Sequence, residues 1–356
     1  MSRILYLGDS SPSSTSAHRA NALGRLGNSV NIRDPYKPLK GQLQSRWLGP
    51  LHFRTGYRFL NGQVNSWLKE TIANESKPDL IWVDSGELFG PQSLKILKQM
   101  NCPIVLYNVD DPTGKRDGKR FASLISAITS YDLVVVVRKE TESECKALGV
   151  KNVMLVYRSY DEVEHRPFKS IDEIPNEFKS DVAFIGTWMR HERRDEFLLK
   201  LISAGIPVTI WGDRWNKSPG FSKLKPYWRG PALGGRDYVA ALQGAKICLG
   251  LLSKGNRDLH TTRTLETPYA GGLFCAERTS EHTQLYKEGV EAVFWSDADE
   301  CARVCKQLLN DSTLRENIRD AGMRRVRANK VGNEDICRSI LNALMEQHKI
   351  LQSVTR

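Results

Sequence analysis

DVAFIGTWMRHERRDEFLLKLISAGIPVTIWG, residues 181–212, decides the fold. DVAFIG (181–186) is an unbroken apolar run ending in glycine, and a polar, arginine-rich loop follows it. RDEFLLKLISAG (194–205) has a helical period and a glycine at its end, and VTIWG (208–212) is apolar again. A short apolar run without alternation is a strand covered on both faces. Strand, helix and strand in that order make a parallel βαβ unit.

Working outward, the same alternation fills the chain. Downstream, KICLGLL (246–252), GLFCA (272–276) and AVFWS (292–296) read as strands. DYVAALQGA (237–245), RTLETPYA (263–270), DADECARVCKQLLND (297–311) and LRENIRDAGMRRVRANK (314–330) read as helices. Upstream, ILYLG (4–8), SVNIRD (29–34), DLIWVD (79–84), PIVLYNVDD (103–111), DLVVVVR (132–138) and NVMLVY (152–157) are strands. Helical periods lie near 18–26, 56–74, 91–100, 117–130 and 139–148. Between the halves, SYDEVEHRPFKSIDEIPNEFKS (159–180) is polar, carries two prolines and reads as a linker. The expected class is α/β, with two doubly wound domains at 1–160 and 181–333, a linker at 161–180, and a final helix over 334–354.

The 356 residues suit two domains, and 40% hydrophobic with 26% charged residues excludes a disordered chain. No apolar stretch is long enough for a spanning helix, and the apolar run before Gly8 is too short for a signal-peptide core, so a cytoplasmic protein is expected. The net charge of +11 points to polyanions without choosing among them. Seven cysteines are dispersed with no CxxC and no nearby histidine pair, so reduced thiols and no metal are expected. Cys301 and Cys305, at i and i+4 on a helix, are read as packing residues.

In such sheets ligands bind beyond the carboxyl ends of the strands, so the loops there are the places to search. Gly8-Asp9-Ser10-Ser11-Pro12 follows the first strand and offers backbone N–H groups, as a ligand loop or an ordinary βα turn. Asp110-Asp111-Pro112 follows PIVLYN. Its carboxylates could bind an acceptor hydroxyl, act as a general base, or cap a helix. Gly186-Thr187-Trp188-Met189-Arg190-His191-Glu192-Arg193-Arg194 carries arginines suited to a diphosphate. The richest loop runs from Lys254 through Asp258, His260, Thr261 and Thr262 to Arg263 and Glu266, then Gly271-Gly272. A helix start with an arginine in its first turn favours an anion. A carboxylate one turn on can accept two hydrogen bonds from the paired hydroxyls of a ribose.

These residues resemble the GT-B glycosyltransferases, in particular the CgeB-type (spore-maturation) group, a relative of the group 1 retaining enzymes. The likeness lies in FIGTWMRHERR, IWGDRW, RTLETPYAGGLFCAE, EGVEAVFWSDADEC and the DAGMRRV helix. It implies two facing Rossmann-like domains with an interdomain cleft, and a last helix crossing back to domain one. An acid-x7-acid pattern of group 1 is met by Asp258 and Glu266, with Asp in place of the usual Glu. Pro268 departs from group 1 but is familiar in the CgeB-type pattern. The implied reaction moves a sugar from a nucleoside diphosphate sugar (UDP-, GDP- or dTDP-linked) to an acceptor hydroxyl without a metal or cofactor. The donor set is Gly186, Trp188, Arg190, Lys254, Asp258, His260, Thr261, Thr262, Arg263 and Glu266. Within it Arg190, Lys254 and Arg263 go to the phosphates and Glu266 to the ribose. Retention lets the leaving phosphate take the acceptor's proton, whereas inversion needs a base, for which Asp110, Asp111 and Asp9 are the candidates.

Two rival functions fit parts of the sequence: a nucleotide-sugar binder without catalysis, and a nucleic-acid-binding protein using the basic runs 115–120, 190–194 and 324–330. No nucleic-acid motif accompanies those runs, and nucleic acid is not the expected partner. A glycan, lipid-linked or protein acceptor is expected. The aromatic-basic stretch with Trp47, Leu51, Phe53, Tyr57 and Phe59 among Arg46, Arg54 and Arg58 has two readings. It touches an anionic membrane or grips the acceptor, or it is a helix with its aromatic face on the core; the packing reading is the expected one.

Overall fold

A computed structural model of the protein describes residues 1–114 and 116–354, with only the backbone described for 347–354. The chain forms two compact units, one of Met1–Tyr157 together with the stretch from Asn333 onward, the other Arg158–Gly332.

Unit 1 is built on six parallel strands: β1 Arg3–Leu7, β2 Ser29–Arg33, β3 Leu80–Asp84, β4 Ile104–Asn108, β5 Leu133–Val136 and β6 Val153–Leu155. Their spatial order is β2-β1-β3-β4-β5-β6. Alternate residues of the same strands feed two cores, as a sheet covered on both faces requires. Leu5, Ile81, Val83, Leu106 and Val134 pack on one side with Leu60, Val64 and Leu68. Ile4, Tyr6, Trp82, Val105 and Tyr107 pack on the other. That second core takes in Ala20 and Leu23 of the helix Thr15–Arg25, and Ile336, Cys337 and Ile340 of the final helix Asn333–Val354. Arg25 Nε meets Glu334 at 2.6 Å.

Unit 2 repeats the plan with β7 Ser180–Ile185, β8 Val208–Trp211, β9 Trp228–Gly230, β10 Ala245–Gly250, β11 Phe274–Glu277 and β12 Val293–Trp295. The order is β12-β11-β10-β7-β8-β9, all parallel. The chain starts this sheet in the middle and winds first one way and then the other. The reversal point between β7 and β10 is therefore where a crevice opens. In unit 1 the same point falls between β1 and β3.

The stretch expected as a linker belongs to unit 2. Ile174 and Phe178 are buried in one of its cores, and Phe168 exchanges hydrogen bonds with the amide of Gln243. Few apolar residues anchor this polar segment, so it has no period to read. The aromatic-basic stretch also departs from expectation. Its helix, Leu48–Arg54, is only seven residues long and buries His52, not its large apolar residues. Trp47 is 79% exposed and Phe59 59%, while Leu48, Leu51 and Phe53 are exposed beside them. Tyr57 alone of the quoted aromatics is buried.

Candidate functional site

At the reversal point of unit 2 the loops after β7 and β10 are latched together. Arg194, buried, donates to the Thr187 carbonyl at 2.8 Å and to that of Leu252 at 3.0 Å. Glu192 reaches the other way and accepts from the backbone N–H of Lys254 at 3.0 Å and Gly255 at 3.2 Å. His191 and Arg193 hold positive φ angles of 70° and 52°, a strained backbone for residues with side chains. A hollow of about 320 Å³ sits on these strand ends, lined in part by His191, Arg193, Lys254, Glu277 and Trp295. Lys254 Nζ lies 3.0 Å from Glu277, and Arg190 is exposed on the first loop.

Gly186 serves the backbone here. Its N–H donates to Trp211 and its carbonyl accepts from the Trp215 indole. Trp188, expected to touch the donor, is instead a core residue whose indole N–H donates to Asp195 at 3.2 Å. An apolar ring next to a strand end was pulled inward by packing.

The second feature is Glu266, in the helix Arg263–Tyr269. Only 3% of it is exposed, and every partner it has is ionic or polar. Tyr238 donates its hydroxyl to Oε2 at 2.6 Å, and Arg263 Nη1 lies 3.5 Å from the same oxygen. His165 Nδ1 accepts the Asp161 N–H at 2.8 Å, so Nε2 carries hydrogen, and it faces Oε1 at 3.7 Å. Burial pushes the carboxyl's pKa up, but His165, Arg263 and Tyr238 outweigh it and hold the value below the usual range. Glu266 is thus an ionised carboxylate fixed in place. Neither it nor Arg263 lines the hollow.

Asp258 and His260 are joined by a residue that sequence reading passed over. Arg158 Nη2 lies 3.2 Å from Asp258, and the Arg158 N–H donates to His260 Nε2 at 2.9 Å. The other ring nitrogen of His260 then donates to Glu281 at 2.5 Å. Burial lowers the pKa of His260, in keeping with a neutral ring. Thr261 N–H donates to the Thr264 hydroxyl, and Thr262 precedes the helix.

Pro268 sits inside that helix and cannot donate to the Thr264 carbonyl four residues back. The Tyr286 hydroxyl donates to it instead, at 2.8 Å. The double glycine is a packing turn. Gly271 has φ of +85°, and a Cβ on Gly272 would lie 2.7 Å from the Leu242 carbonyl oxygen.

In unit 1, Asp9, Asp84 and Asp110 share the carboxyl edge of the sheet. Asp9 accepts from the Ser11 N–H and hydroxyl. Asp84 is buried with Arg19 at 3.0 Å and Tyr6 at 2.7 Å. Asp111 is buried and accepts from Thr141 at 3.1 Å, which makes it an anchor of its loop, not an open acid. Asp110 is half-buried, 3.4 Å from Arg120. Arg120 also meets Asp117 at 3.1 Å and buried Glu87 at 2.6 Å. Burial raises the Glu87 pKa against the pull of Arg120. Arg116 and Arg120 of the basic run 115–120 are thus paired with acids; its Lys115 lies outside the described residues.

Residues 190–335 match the glycosyl transferase-like family. Sucrose-phosphate synthase from Thermosynechococcus elongatus is similar over 99% of this chain and 100% of its own, with TM-score 0.68 and 13% identity. Anabaena HepE, solved with UDP-glucose, is similar over 97% and 100%, with TM-score 0.65 and 15% identity. The α,α-trehalose 6-phosphate synthase of Burkholderia multivorans gives TM-score 0.62 and 12% identity over 100% and 99%. No curated protein matches the chain by sequence. The fold is the GT-B fold, two Rossmann-like units each with a six-stranded parallel sheet. Among the described residues no helix is long and apolar enough to cross a membrane.

Proposed function

We propose that the protein is a glycosyltransferase of the CgeB type. In this reading it moves a sugar from a nucleoside diphosphate sugar to an acceptor hydroxyl, with retention and without a metal. The observation that carries the reading is Glu266: an ionised, oriented carboxylate held by Tyr238, His165 and Arg263 within the family-matched segment. Such a group accepts two hydrogen bonds from paired ribose hydroxyls at little cost in ordering. Charge grows on the leaving diphosphate, so cations near the strand ends supply the main stabilisation. Lys254, Arg190 and Arg263 take that role. On unit 1, Asp110, half-buried beside Arg120, and Asp9 are the acids proposed for an acceptor hydroxyl, since Asp111 and Asp84 are committed to buried partners. HepE, a structural neighbour, was solved with UDP-glucose, which makes a uridine donor the first to try.

The test is a thermal-shift series with UDP, GDP, dTDP and their sugars on the wild type and Glu266→Gln, followed by assays of transfer and of donor hydrolysis. One nucleotide should stabilise the wild type, by about 2.7 kcal/mol at a hundredfold excess over Kd, and not the variant. Stabilisation without turnover on any acceptor leaves a binder. No stabilisation by any nucleotide sinks both readings.

The acceptor side of the proposal is an anionic membrane surface. Trp47, Leu48, Leu51, Phe53 and Phe59 are exposed together, with Arg46 and Arg58 stacked on Trp47 and Phe59. Apolar rings flanked by guanidinium groups suit the boundary of anionic lipid headgroups and acyl chains. The protein should float with phosphatidylglycerol vesicles at low salt and lose this on Trp47→Ala with Phe59→Ala. Absence of flotation at low salt removes the membrane from the proposal.

A further inference from the structure

Three of the seven cysteines, two from one helix and one from a strand 26 residues earlier, meet in unit 2. Cys301 and Cys305 lie one turn apart on the helix Ala298–Asn310 and so share a face. On β11, Phe274 turns its ring toward His282, with centroids 5.3 Å apart, and the next residue, Cys275, points to the opposite side of the sheet. That side is covered by the cysteine-bearing face of the helix. The three Sγ atoms all lie within 4.8 Å of one another, and each residue is fully buried. Among the described residues no histidine, aspartate or glutamate joins them. The surrounding core holds Leu249, Leu273, Trp295 and Leu308.

Bonds of about 2.3 Å, the length of a zinc–thiolate bond, place three sulfurs about 4 Å apart around a planar three-coordinate centre and closer than that around a pyramidal one such as trivalent arsenic. With all three sulfurs within 4.8 Å of one another, a modest inward movement of the side chains closes such a centre. Zinc is poorly served here, because it takes four ligands and three thiolates would leave a net negative charge in an apolar core. Monovalent copper with three thiolates leaves two. A trivalent thiophilic centre with three thiolates is neutral and three-coordinate, which matches both the count and the surroundings.

We propose that Cys275, Cys301 and Cys305 form a binding site for trivalent arsenic, taken up as arsenous acid. Each thiol displaces one hydroxyl: three As–S bonds form, three As–O and three S–H bonds break, and three waters leave. Arsenic stays trivalent and sulfur is not oxidised. Arsenous acid is small and uncharged, so it enters the core without carrying charge. The product ties β11 to the helix Ala298–Asn310 at two points one turn apart. This site is independent of the transferase reading.

The test uses the full chain, reduced and free of oxygen, titrated with sodium arsenite and measured by native mass spectrometry. Alkylation after unfolding in the presence of arsenite maps the protected thiols. One arsenic per chain with loss of three hydrogens is expected, with Cys275, Cys301 and Cys305 protected and Cys102 and Cys248 modified. Cys102→Ser and Cys248→Ser should keep the uptake, and Cys301→Ala and Cys305→Ala should lose it while retaining a cooperative thermal transition. Wild type that takes up no arsenic, protection of other cysteines, or uptake undiminished in both alanine variants overturns the assignment. Should a variant fail to fold, the wild-type protection map alone decides.

Discussion

The hydroxyl of Tyr238 donates to Glu266 at 2.6 Å, and the two residues come from different helices, 28 positions apart. After His165 and Arg263, this bond favours the ionised form of the buried carboxylate. Tyr238→Phe should cost about 1.5–3 kcal/mol of stability, the range for a hydrogen bond to a charged group. It should also weaken nucleotide-sugar binding without abolishing it. Denaturant unfolding and nucleotide titration on the same variant check both; an unchanged midpoint and affinity would show that Tyr238 does not hold Glu266.

A second expectation concerns acid. His282 donates from Nδ1 to the Glu277 carbonyl at 2.7 Å, and its Nε2 accepts from the Thr264 hydroxyl at 2.9 Å. Both nitrogens are used by the neutral ring, and burial takes its pKa down to about 4. The unfolded chain, with a histidine pKa near 6.5, binds more protons between those values. Stability should therefore fall as pH drops from about 6.5 toward 4, by up to about 1.4 kcal/mol per pH unit. His282→Gln should flatten that slope in urea unfolding series; an equal slope in both proteins counts against His282 as its source.

Removal of a single oxygen offers a third check. Tyr286→Phe leaves the Thr264 carbonyl opposite Pro268 without its donor, and about 1–3 kcal/mol should be lost. Thermal unfolding measures it. A neutral result would mean that water or a shifted neighbour replaces the hydroxyl.

Two glycines should behave oppositely. Gly212 has φ of +143°, and a Cβ there would run into the Gly186 carbonyl, so Gly212→Ala should destabilise by about 1–3 kcal/mol. Gly24 lies in the helix Thr15–Arg25 with nothing within 4 Å of a Cβ, so Gly24→Ala should stabilise by about 0.5–1 kcal/mol. Opposite shifts in the unfolding midpoint are the expected pair.

The central strands were legible because they are apolar on both faces. DLIWVD predicted β3, and DVAFIG predicted β7 to within a residue. The short edge strand Trp228–Gly230 was not, since three residues carry no period. Arg263 and Glu266 could be placed on one helix from their spacing alone. His165 and Tyr238, which fix Glu266, could not, because one sits in a polar stretch read as a linker and the other on a helix read only for its apolar face. Cys275 was hidden for the same kind of reason: i, i+4 spacing pairs residues along a helix, but only the sheet brings a third thiol from a strand. Trp188 at its strand end packs into the core with its indole bonded to Asp195, a contact that strand position alone does not reveal.

The final helix completes the core of unit 1, and its partner Arg25 lies 309 residues earlier than Glu334. During synthesis, residues 1–157 emerge with one face of their sheet covered only in part, by the helix Thr15–Arg25, and the whole of unit 2 is made before Ile336, Cys337 and Ile340 arrive to complete that core. Unit 2 has its own strands and cores in a single run of chain, so it can finish folding while unit 1 waits. The helix Asn333–Val354 therefore governs the order of assembly: chains truncated before residue 333 and released should hold a finished second unit and an unfinished first one, open to chaperones and proteases.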